Sequence, residues 1–230
     1  MVDRPDPPSA PVTLGTLGDW YWQMIALRSQ YPGGTLLPIE GDWREQPRPS
    51  GPAADLFRSR LGHCERILDV GAGDRYWGDV LKRMGLPGRY ESADPETRHP
   101  HEHADFLQVE ERYDAILMLE LLEHLPLEVG LAFVAHATKL LNPGGVLVIS
   151  TPNTHHAHQV WSADFTHVRP WPSHDLWALC TLQGYTDVAV HRQWITGPRR
   201  RLLKPLQFFL SSVLDIDPAY GLLVFASRPR

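Results

Sequence analysis

The segment from Leu119 to Leu125, which reads LELLEHL, carries three side chains that can bind a cation or move a proton. Glu120, Glu123 and His124 stand at positions i, i+3 and i+4 of this segment. If a helix begins near Glu120, the three side chains point to the same side of that helix. Two carboxylates and one imidazole would then converge on one point, where they could hold a cation.

A second group of ionisable side chains follows in the loop that begins at TPNTHHAHQ. Most single histidines in loops are solvated, but an imidazole titrates near neutral pH and can serve as a general base. Any of His155, His156, His158 and His167 could take that role. We take His156 and His167, together with His124, as the catalytic candidates.

The stretch RILDVGAGDRYWG, from Arg66 to Gly78, has the pattern of a strand, a glycine turn and a helix. An apolar run precedes Gly71 and Gly73, and the apolar residues that follow recur at helical spacing. Glycines let the backbone approach a ligand closely, and the N–H groups at a helix N-terminus attract anions. The turn therefore predicts a binding site for a ligand with polar or charged groups.

From Arg66 onward, predicted strands and helices alternate, which is typical of a parallel sheet with helices on both faces. The predicted strands are Arg66–Val70, Arg89–Ala93, Tyr113–Leu119 and Gly145–Thr151. The predicted helices between them are Asp74–Met84 and Leu127–Leu140, the second of which ends at the stop signal NPGG. Ligands bind at the carboxyl ends of the strands in such sheets.

Asp94 directly follows the strand at Arg89–Ala93, where an acid can accept hydrogen bonds from a ribose diol. Together with the glycine turn, this acid predicts a ligand that contains adenosine. NAD stays open as that ligand, but its fingerprint requires a third glycine three residues after the second. The residue at that position here is Tyr76.

The first 60 residues differ from the rest, and we divide the chain into an N-terminal tail and helical extension, 1–60, and a main domain, 61–230. The extension contains a proline-rich tail, a helix at Leu17–Gln30, a loop from Tyr31 to Pro52 and a short helix at Ala53–Leu61. Two interpretations of the aromatic run at residues 20–22 stay open, which are packing against the sheet and a flap over the ligand.

The composition excludes several classes of protein. The chain has 230 residues, 43% of them hydrophobic, which is enough for one sizeable core. A net charge of −5 argues against long nucleic acid or an anionic membrane as an obligatory partner. Cys64 and Cys180 form no CxxC motif, and neither a signal-peptide pattern nor an apolar run long enough to span a membrane occurs. We therefore expect a cytoplasmic protein without a transmembrane segment.

Five segments, in this order and spacing, resemble the class I S-adenosylmethionine-dependent methyltransferases: ILDVGAGDRYWGDVL, YESADPE, HADFLQ, YDAILMLELLEHLPLE and LNPGGVLVISTPN. The resemblance covers about Arg66 to Thr151 and extends more loosely to the end of the chain. It implies a Rossmann-like, doubly wound α/β sheet of seven mostly parallel strands with helices on both faces. The last two strands would be Tyr185–Trp194 and Tyr220–Ser227.

The resemblance also implies S-adenosylmethionine as the cofactor. The cofactor-binding residues that it implies are Asp69, Gly71, Ala72, Gly73, Asp94, Pro95, Asp105, Phe106 and Leu119. Asp69 and the glycine turn would line the methionine portion, and Asp94 would hold the ribose hydroxyls. Asp105 would bind the adenine amino group with Phe106 beside the ring, and Leu119 would lie near the sulfonium.

One position departs from the family pattern. Many members read GxGxG at the turn, whereas this chain has Arg75 in place of the last glycine. The departure allows for a different loop or for a crowded methionine pocket. It is also the one hint that the chain is a cofactor-binding scaffold without catalysis.

Ubiquinone-pathway O-methyltransferases and small-RNA 2′-O-methyltransferases also carry ExxEH, and the segment DFTHVRPW resembles the one that supplies them with one more histidine. In those groups the cluster binds a divalent metal, which implies a site of Glu120, Glu123, His124 and His167 here. Carboxylate oxygens with imidazole suit Mg²⁺, Mn²⁺ or a similar ion. In many other methyltransferases the Glu-His pair only caps a helix and lines the substrate floor, and this alternative stays open.

The sequence thus predicts methyl transfer to an oxygen of a small molecule, with a sugar or phenolic hydroxyl as the acceptor. The segment THVRPW also resembles methyltransferases of polysaccharide and natural-product pathways, which favours such acceptors. The alternatives are a small-RNA 2′-O-methyltransferase, a non-catalytic scaffold and an NAD-dependent oxidoreductase.

Three interpretations of the basic run Arg199–Arg201 and the helix predicted at Leu202–Leu214 stay open. The run is solvated and the helix covers the sheet or makes a dimer contact, or the arginines bind an anionic group of the substrate. The third interpretation is contact with a membrane surface or a lipid-linked substrate.

Overall fold

A computed structural model of the chain describes residues 17–40, 51–156, 160–196 and 217–230, together with residues 209 and 213. The strands are β1 (Thr35–Glu40), β2 (Arg66–Val70), β3 (Arg89–Ala93), β4 (Tyr113–Leu119), β5 (Leu141–Pro152), β6 (Thr186–Thr196) and β7 (Gly221–Ser227). The helices are α1 (Leu17–Arg28), α2 (Pro52–Leu61), α3 (Tyr76–Arg83), α4 (Leu127–Leu140) and α5 (Ser173–Leu182).

All seven strands form one sheet in the order β1-β6-β7-β5-β4-β2-β3. The pairs among β2, β3, β4 and β5 are parallel, as is the pair of β1 with β6, whereas β7 runs antiparallel to both β5 and β6. The predicted Rossmann-like α/β sheet of mostly parallel strands is therefore confirmed.

Strand β1 lies where the sequence predicted a loop. β1 falls inside the segment Tyr31–Pro52, and it pairs with β6 at the outer edge of the sheet. Its sequence, TLLPIE, is short and contains Pro38, which is tolerated in an edge strand because one side of that strand pairs with no neighbour. The prediction of a loop throughout this segment was wrong for Thr35–Glu40.

Two apolar layers cover the two faces of the sheet, and β4 contributes to both. Ile116 and Met118 point into the layer that contains α4 and α5, whereas Ala115 and Leu117 point into the layer that contains α2 and α3. This alternation follows from the two-residue period of a strand. Burial on both faces explains why β4 reads as one continuous apolar run.

The aromatic run at residues 20–22 is divided between the core and the surface. Trp20 is 7% exposed and packs in the core layer where α1 meets α5, whereas Trp22 is 74% exposed. Packing against the domain thus accounts for the first of the three residues. Among the described residues, no helix combines the length and the apolarity that a bilayer crossing requires.

Several predicted features lie outside the described residues. These are the proline-rich tail, His158, the basic run Arg199–Arg201 and most of the helix predicted at Leu202–Leu214.

Trp171 connects the core to the turn that follows β4. Its indole N–H donates a hydrogen bond of 2.8 Å to the carbonyl oxygen of Leu122. Its ring packs so closely on α4 that a Cβ added at Gly130 would lie 2.7 Å from it. The position of the turn at Leu122–His124 is therefore fixed by a buried aromatic side chain.

We expect Trp171→Phe to lower the free energy of unfolding by roughly 1–3 kcal/mol, because it leaves the buried Leu122 carbonyl without its donor. Chemical denaturation followed by circular dichroism measures this change. Trp177→Phe is the matched control, since Trp177 lies on α5 and is only partly buried. Equal destabilisation by both substitutions would contradict the proposed importance of the hydrogen bond.

Candidate functional site

Four segments that carry polar side chains meet at one edge of the sheet, because the parallel strands β2, β3, β4 and β5 all end there. The glycine turn follows β2, Asp94 follows β3, Glu120 follows β4 and Asn153 follows β5. This edge is where the sequence predicted the site.

The glycine turn has the backbone that a closely approaching ligand requires. Gly71 and Gly73 have φ angles of 74° and 50°, which side-chain-bearing residues rarely adopt. A Cβ at Gly71 would lie 2.6 Å from the side chain of Leu121, whereas one at Gly73 would meet no atom within 4 Å. A side chain at position 71 would therefore displace Leu121, whereas the backbone at Gly73 faces open space, which leaves room for a ligand.

Asp94 joins the turn to the segment that follows β3. One of its carboxylate oxygens accepts a hydrogen bond from the Gly73 amide and the other accepts one from the Glu96 amide, both at 2.8 Å. A carboxylate can accept about four hydrogen bonds, so capacity for a ribose diol is left. These two contacts fix the orientation of the carboxylate toward the turn.

Asp69 lies buried beneath the glycine turn. Its carboxylate accepts a 2.6 Å hydrogen bond from the hydroxyl of Tyr90. Burial raises the pKa of Asp69 to about 7, and the bond from Tyr90 opposes that rise. The acid therefore lies where a cationic group of a ligand would stabilise its charged form.

The remaining predicted cofactor residues differ in how far they reach the surface. Asp105 is exposed and caps a short turn, since its carboxylate accepts a 2.9 Å bond from the Leu107 amide. The ring of Phe106 instead packs in the core against Phe133 and His136. Pro95 is exposed, and Leu119 is buried at the end of β4.

No helix begins at Glu120, so the geometric reason for a cation site was wrong. Glu120 has a left-handed backbone with φ 51°, and only a short 3₁₀ turn, Leu122–His124, follows it. Side chains nevertheless converge, since ligand atoms of Glu123, His124 and His167 all lie within 4.8 Å of one another. Glu120 lies outside this group, and its carboxylate accepts a 2.8 Å bond from the Ser150 hydroxyl.

Glu123 is fully buried, and neither carboxylate oxygen makes a hydrogen bond of ordinary geometry with a described residue. Burial, followed by the nearby charge of Glu120, raises the pKa of Glu123 to about 8. A buried carboxylate without partners is unfavourable unless it gains a proton or a cation. This donor set therefore fits a divalent cation.

Backbone carbonyls define which nitrogens of the two histidines carry hydrogen. Nδ1 of His124 lies 3.2 Å from the carbonyl oxygen of Thr166, and Nδ1 of His167 lies 2.6 Å from that of Trp161. A carbonyl can only accept, so we assign the hydrogen to Nδ1 in both rings. Each Nε2 then has a lone pair, and metal-binding histidines are commonly held in this way.

The loop that carries His167 is bound to the turn that carries Glu123. The amides of Val168 and Arg169 both donate to the carbonyl oxygen of Glu123, at 2.7 and 3.1 Å. The His124 and His167 rings consequently lie with their centroids 4.9 Å apart. The loop and the turn thus form one unit, although their residues are more than 40 positions apart.

The other predicted base, His156, lies nearer the start of the same connection between β5 and α5. The His156 amide donates to the carbonyl oxygen of Asn153, and the backbones of His156 and Asp217 form an isolated β-bridge. Among the described residues, the group that could hold a cation does not include His156. The structure thus brings His124 and His167 together and leaves His156 separate.

Sequence reasoning missed the residues that hold the site in place. Tyr90 binds Asp69, Ser150 binds Glu120, and the carbonyls of Trp161 and Thr166 orient the histidines. None of them has a spacing that marks it, because Tyr90, Ser150 and Thr166 come from segments distant from their partners and Trp161 acts through a carbonyl, which every residue possesses.

Comparison with known proteins agrees with the geometry of this edge. A family model described as a methyltransferase domain matches residues 42–190 of the chain. The chain belongs to this family. The methyltransferase domain contains the glycine turn, Asp94 and the Glu123 cluster, and the resemblance to class I S-adenosylmethionine-dependent methyltransferases is confirmed.

Two curated relatives are both described as ubiquinone biosynthesis O-methyltransferases. The protein from Azorhizobium caulinodans is 28% identical over 171 residues, which is 64% of this chain and 62% of the relative. The protein from Paramagnetospirillum magneticum is 32% identical over 111 residues, which is 38% of this chain and 40% of the relative. The matches thus span less than two thirds of either relative's length.

The fold is similar to that of a SAM-dependent methyltransferase from Archaeoglobus fulgidus. The TM-score is 0.62 at 14% identity, with 76% of this chain and 91% of the other chain covered. At this identity the likeness shows the fold alone. The family match favours S-adenosylmethionine over NAD as the cofactor of this methyltransferase domain.

Without divalent ions, Glu123 should make stability fall with rising pH. Its folded pKa of about 8 lies above the usual value of 4.5, so the folded chain binds the proton more tightly between these values. We expect Glu123→Gln to be more stable than the wild type by roughly 1–4 kcal/mol at about pH 9, with little difference at about pH 4. Denaturation in EDTA at several pH values measures this difference.

The control for this experiment is Glu128→Gln, because Glu128 is exposed on α4. Its curve of stability against pH should follow that of the wild type. If the Glu123→Gln curve also follows the wild type, the buried carboxyl is not strained and the interpretation of the cluster fails.

Proposed function

We propose that this chain transfers the methyl group of S-adenosylmethionine to an oxygen of a small molecule, with a divalent cation held by Glu123, His124 and His167. The observation that carries the proposal is a buried acid, Glu123, that makes no hydrogen bond of ordinary geometry with a described residue and lies beside two oriented imidazoles. This cluster lies at the same edge of the sheet as the glycine turn, because β2 and β4 are parallel neighbours. Cofactor and acceptor would therefore meet there.

The cofactor would extend along the glycine turn from Asp69 toward Asp105. Ionised Asp69 would attract the ammonium group of the methionine portion, and Asp94 would accept hydrogen bonds from the ribose hydroxyls. Asp105 is exposed and would receive the adenine amino group. We propose that Phe106 supports this part of the cofactor site from the core, that Pro95 lies at its surface and that Leu119 lies near the sulfonium.

The cation would be bound by one carboxylate and two Nε2 atoms, a set that suits Mg²⁺, Mn²⁺ or a similar ion. Glu120 is a proposed fourth ligand, since its charge already acts on Glu123. A divalent cation at this site would lower the pKa of an acceptor hydroxyl. The cation would also offset the cost of burying the Glu123 charge.

The side chains of the chain must also align the acceptor and accept its proton. Transfer needs the acceptor oxygen about 3 Å from the methyl carbon and in line with the departing sulfur. Nε2 of His124 or His167 cannot take a proton while its lone pair binds a cation. His156 is therefore the proposed general base when the cation is bound.

The proposed acceptor is a small molecule with a phenolic or sugar hydroxyl. Two aromatic side chains lie in the loop that carries His167: the ring of Trp161 lies 6.3 Å from that of His167, and Phe165 is 98% exposed. Aromatic faces pack well against sugars and phenols. The names of the two curated relatives support oxygen as the methylated atom.

A cytoplasmic location is also part of the proposal. Cys64 and Cys180 are both buried and free, and burial raises the pKa of each thiol to about 12. Unreactive free thiols agree with a reducing compartment.

Asp94→Ala should raise the dissociation constant for S-adenosylhomocysteine by roughly 10- to 100-fold, since a hydrogen bond to a charged group is worth about 1.5–3 kcal/mol. Isothermal titration calorimetry measures this dissociation constant, and a separate titration with NAD compares the two ligand classes. Asp79→Ala, an exposed acid on α3, is the control and should leave the constant unchanged. Equal affinity of the Asp94→Ala variant and the wild type would exclude the ribose contact.

Turnover should depend on a divalent ion, whereas cofactor binding should not. We expect formation of S-adenosylhomocysteine with catechols or sugar nucleotides as acceptors, its loss in excess EDTA, and recovery with Mg²⁺ or Mn²⁺. Calorimetry should give a similar S-adenosylhomocysteine affinity with and without EDTA. Full turnover in EDTA would remove the metal from the proposal.

A short RNA acceptor is the third arm of the same assay. Since the chain is acidic, we expect no methylation of RNA. Methylation of RNA with a steep loss of binding between low and physiological salt would replace the small-molecule acceptor by the RNA 2′-oxygen.

A further inference from the structure

Arg75 adopts a backbone conformation that is unfavourable for its residue type. It precedes α3 with a φ of 64° and a ψ of 22°, in the left-handed region. Because only glycine adopts this conformation without steric cost, contacts of the side chain must compensate for the arginine. Its side chain is only 26% exposed, so such contacts exist.

The guanidinium group of Arg75 reaches across to the segment that follows β3. It donates to the carbonyl oxygen of Pro100 and to the carboxylate of Glu102, at 3.2 Å in the second case. It also lies over the ring of Tyr90, 5.4 Å from the centroid. The guanidinium is thus directed to the segment after β3, and its positive charge also acts on Asp69. The predicted alternative of a crowded methionine pocket stays a prediction.

The segment that Arg75 contacts has little regular structure of its own. Residues 94–105 contain neither helix nor strand beyond a single bridge between Ala93 and His103. Yet this segment begins with Asp94 and ends with Asp105, the two acids proposed to bind ribose and adenine. Their separation and orientation therefore depend on tertiary contacts.

Glu102 connects Arg75 to the end of β3. Its second oxygen accepts hydrogen bonds from the amide and the hydroxyl of Ser92, at 2.8 and 3.0 Å. The neighbouring His103 amide donates to the carbonyl of Ser92, and the Asp94 amide donates to that of His103. Glu102, which Arg75 contacts, is thus connected to Asp94 through its chain neighbour His103.

The turn and the segment are consequently joined at two places. One is the 2.8 Å bond from the Gly73 amide to Asp94, and the other is the set of contacts that Arg75 makes with Pro100 and Glu102. These two connections bind the segment to the turn, whereas its bonds with Ser92 hold it to β3.

We propose that Arg75 is a positioning residue for the adenosine half of the cofactor. By tying residues 94–105 to the glycine turn, it holds Asp94 and Asp105 at a fixed separation before the ligand arrives. The inference rests on the proposed function, because it takes S-adenosylmethionine as the ligand. Arg75 itself does not contact the cofactor in this arrangement.

The test compares Arg75→Gly with the wild type in binding two ligands. S-adenosylhomocysteine contains the methionine portion, whereas 5′-methylthioadenosine lacks its amino acid group. We expect Arg75→Gly to raise the dissociation constants of both by about tenfold, because both contain the adenosine that the segment holds. Hydrogen exchange of residues 95–104 in the ligand-free chain should become faster in this variant.

Two further variants separate the effect of a positive charge alone from the effect of the position and shape of the Arg75 side chain. Arg83→Ala removes an exposed arginine of α3 and should change neither constant. Arg75→Lys keeps the charge but loses the planar group with several donors, so we expect an intermediate loss for both ligands. If Arg75→Gly does not fold, Glu102→Gln tests the same connection from its other end and should weaken both ligands.

The possible results are distinguishable. Unchanged constants for both ligands, with unchanged exchange of residues 95–104, would overturn the inference. A loss confined to S-adenosylhomocysteine would also overturn it, since that result means direct contact with the methionine carboxylate. If the wild type bound neither ligand, the proposed function would fail, and the exchange rates would still decide whether Arg75 orders the segment.

Discussion

The burial of the Glu123 carboxylate, which makes no hydrogen bond of ordinary geometry with a described residue, is the constraint on which the arrangement around the site depends. The backbone of Glu123 is held from two directions, since its carbonyl accepts two amides of the His167 loop and the preceding carbonyl accepts the Trp171 indole. The turn therefore cannot move to expose the carboxylate without breaking these hydrogen bonds. The fold keeps an unfavourable group in place, and such groups are common at functional sites.

The sheet separates the tasks of the site along its edge. β2 and β3 end in the glycine turn and Asp94, which suit a cofactor, whereas β4 and β5 end beside the Glu123 cluster and the Asn153 loop. This separation follows from parallel pairing, because each strand delivers its following loop to the same edge. Changes of the loops after β4 and β5 can then leave the glycine turn and Asp94 intact, as the diversity of functions on such folds illustrates.

Much of the sheet could be predicted from the sequence, because buried parallel strands are apolar runs bounded by glycine, proline or acids. Four strands lie near the positions that the pattern predicted, two more lie near those that the family resemblance implied, and the helix α4 has the predicted bounds. The strand at Thr35–Glu40 could not be recognised, since a short edge strand with a proline resembles a loop. Its pairing with β6 is a long-range contact that local pattern does not encode.

The sequence predicted which residues form the candidate site better than it predicted how the backbone holds them. Glu123, His124 and His167 converge as the resemblance implied, but the reason is a 3₁₀ turn and an anchored loop instead of one helix face. The left-handed backbone of Glu120 and of Arg75 has no sequence signal, because neither residue type favours it. The orientation of the imidazoles depends on carbonyls of the main chain, which every residue possesses.

The strand β1 gives the first part of the chain a role beyond covering the core. It occupies the outer edge of β6, while α1 packs on α5 in the layer that covers one face of the sheet. A chain shortened to residues 61–230 would keep the glycine turn and the Glu123 cluster but would leave the β6 edge without its neighbour. Unpaired edges recruit strands from other molecules, so we expect such a shortened chain to self-associate more readily than the full chain.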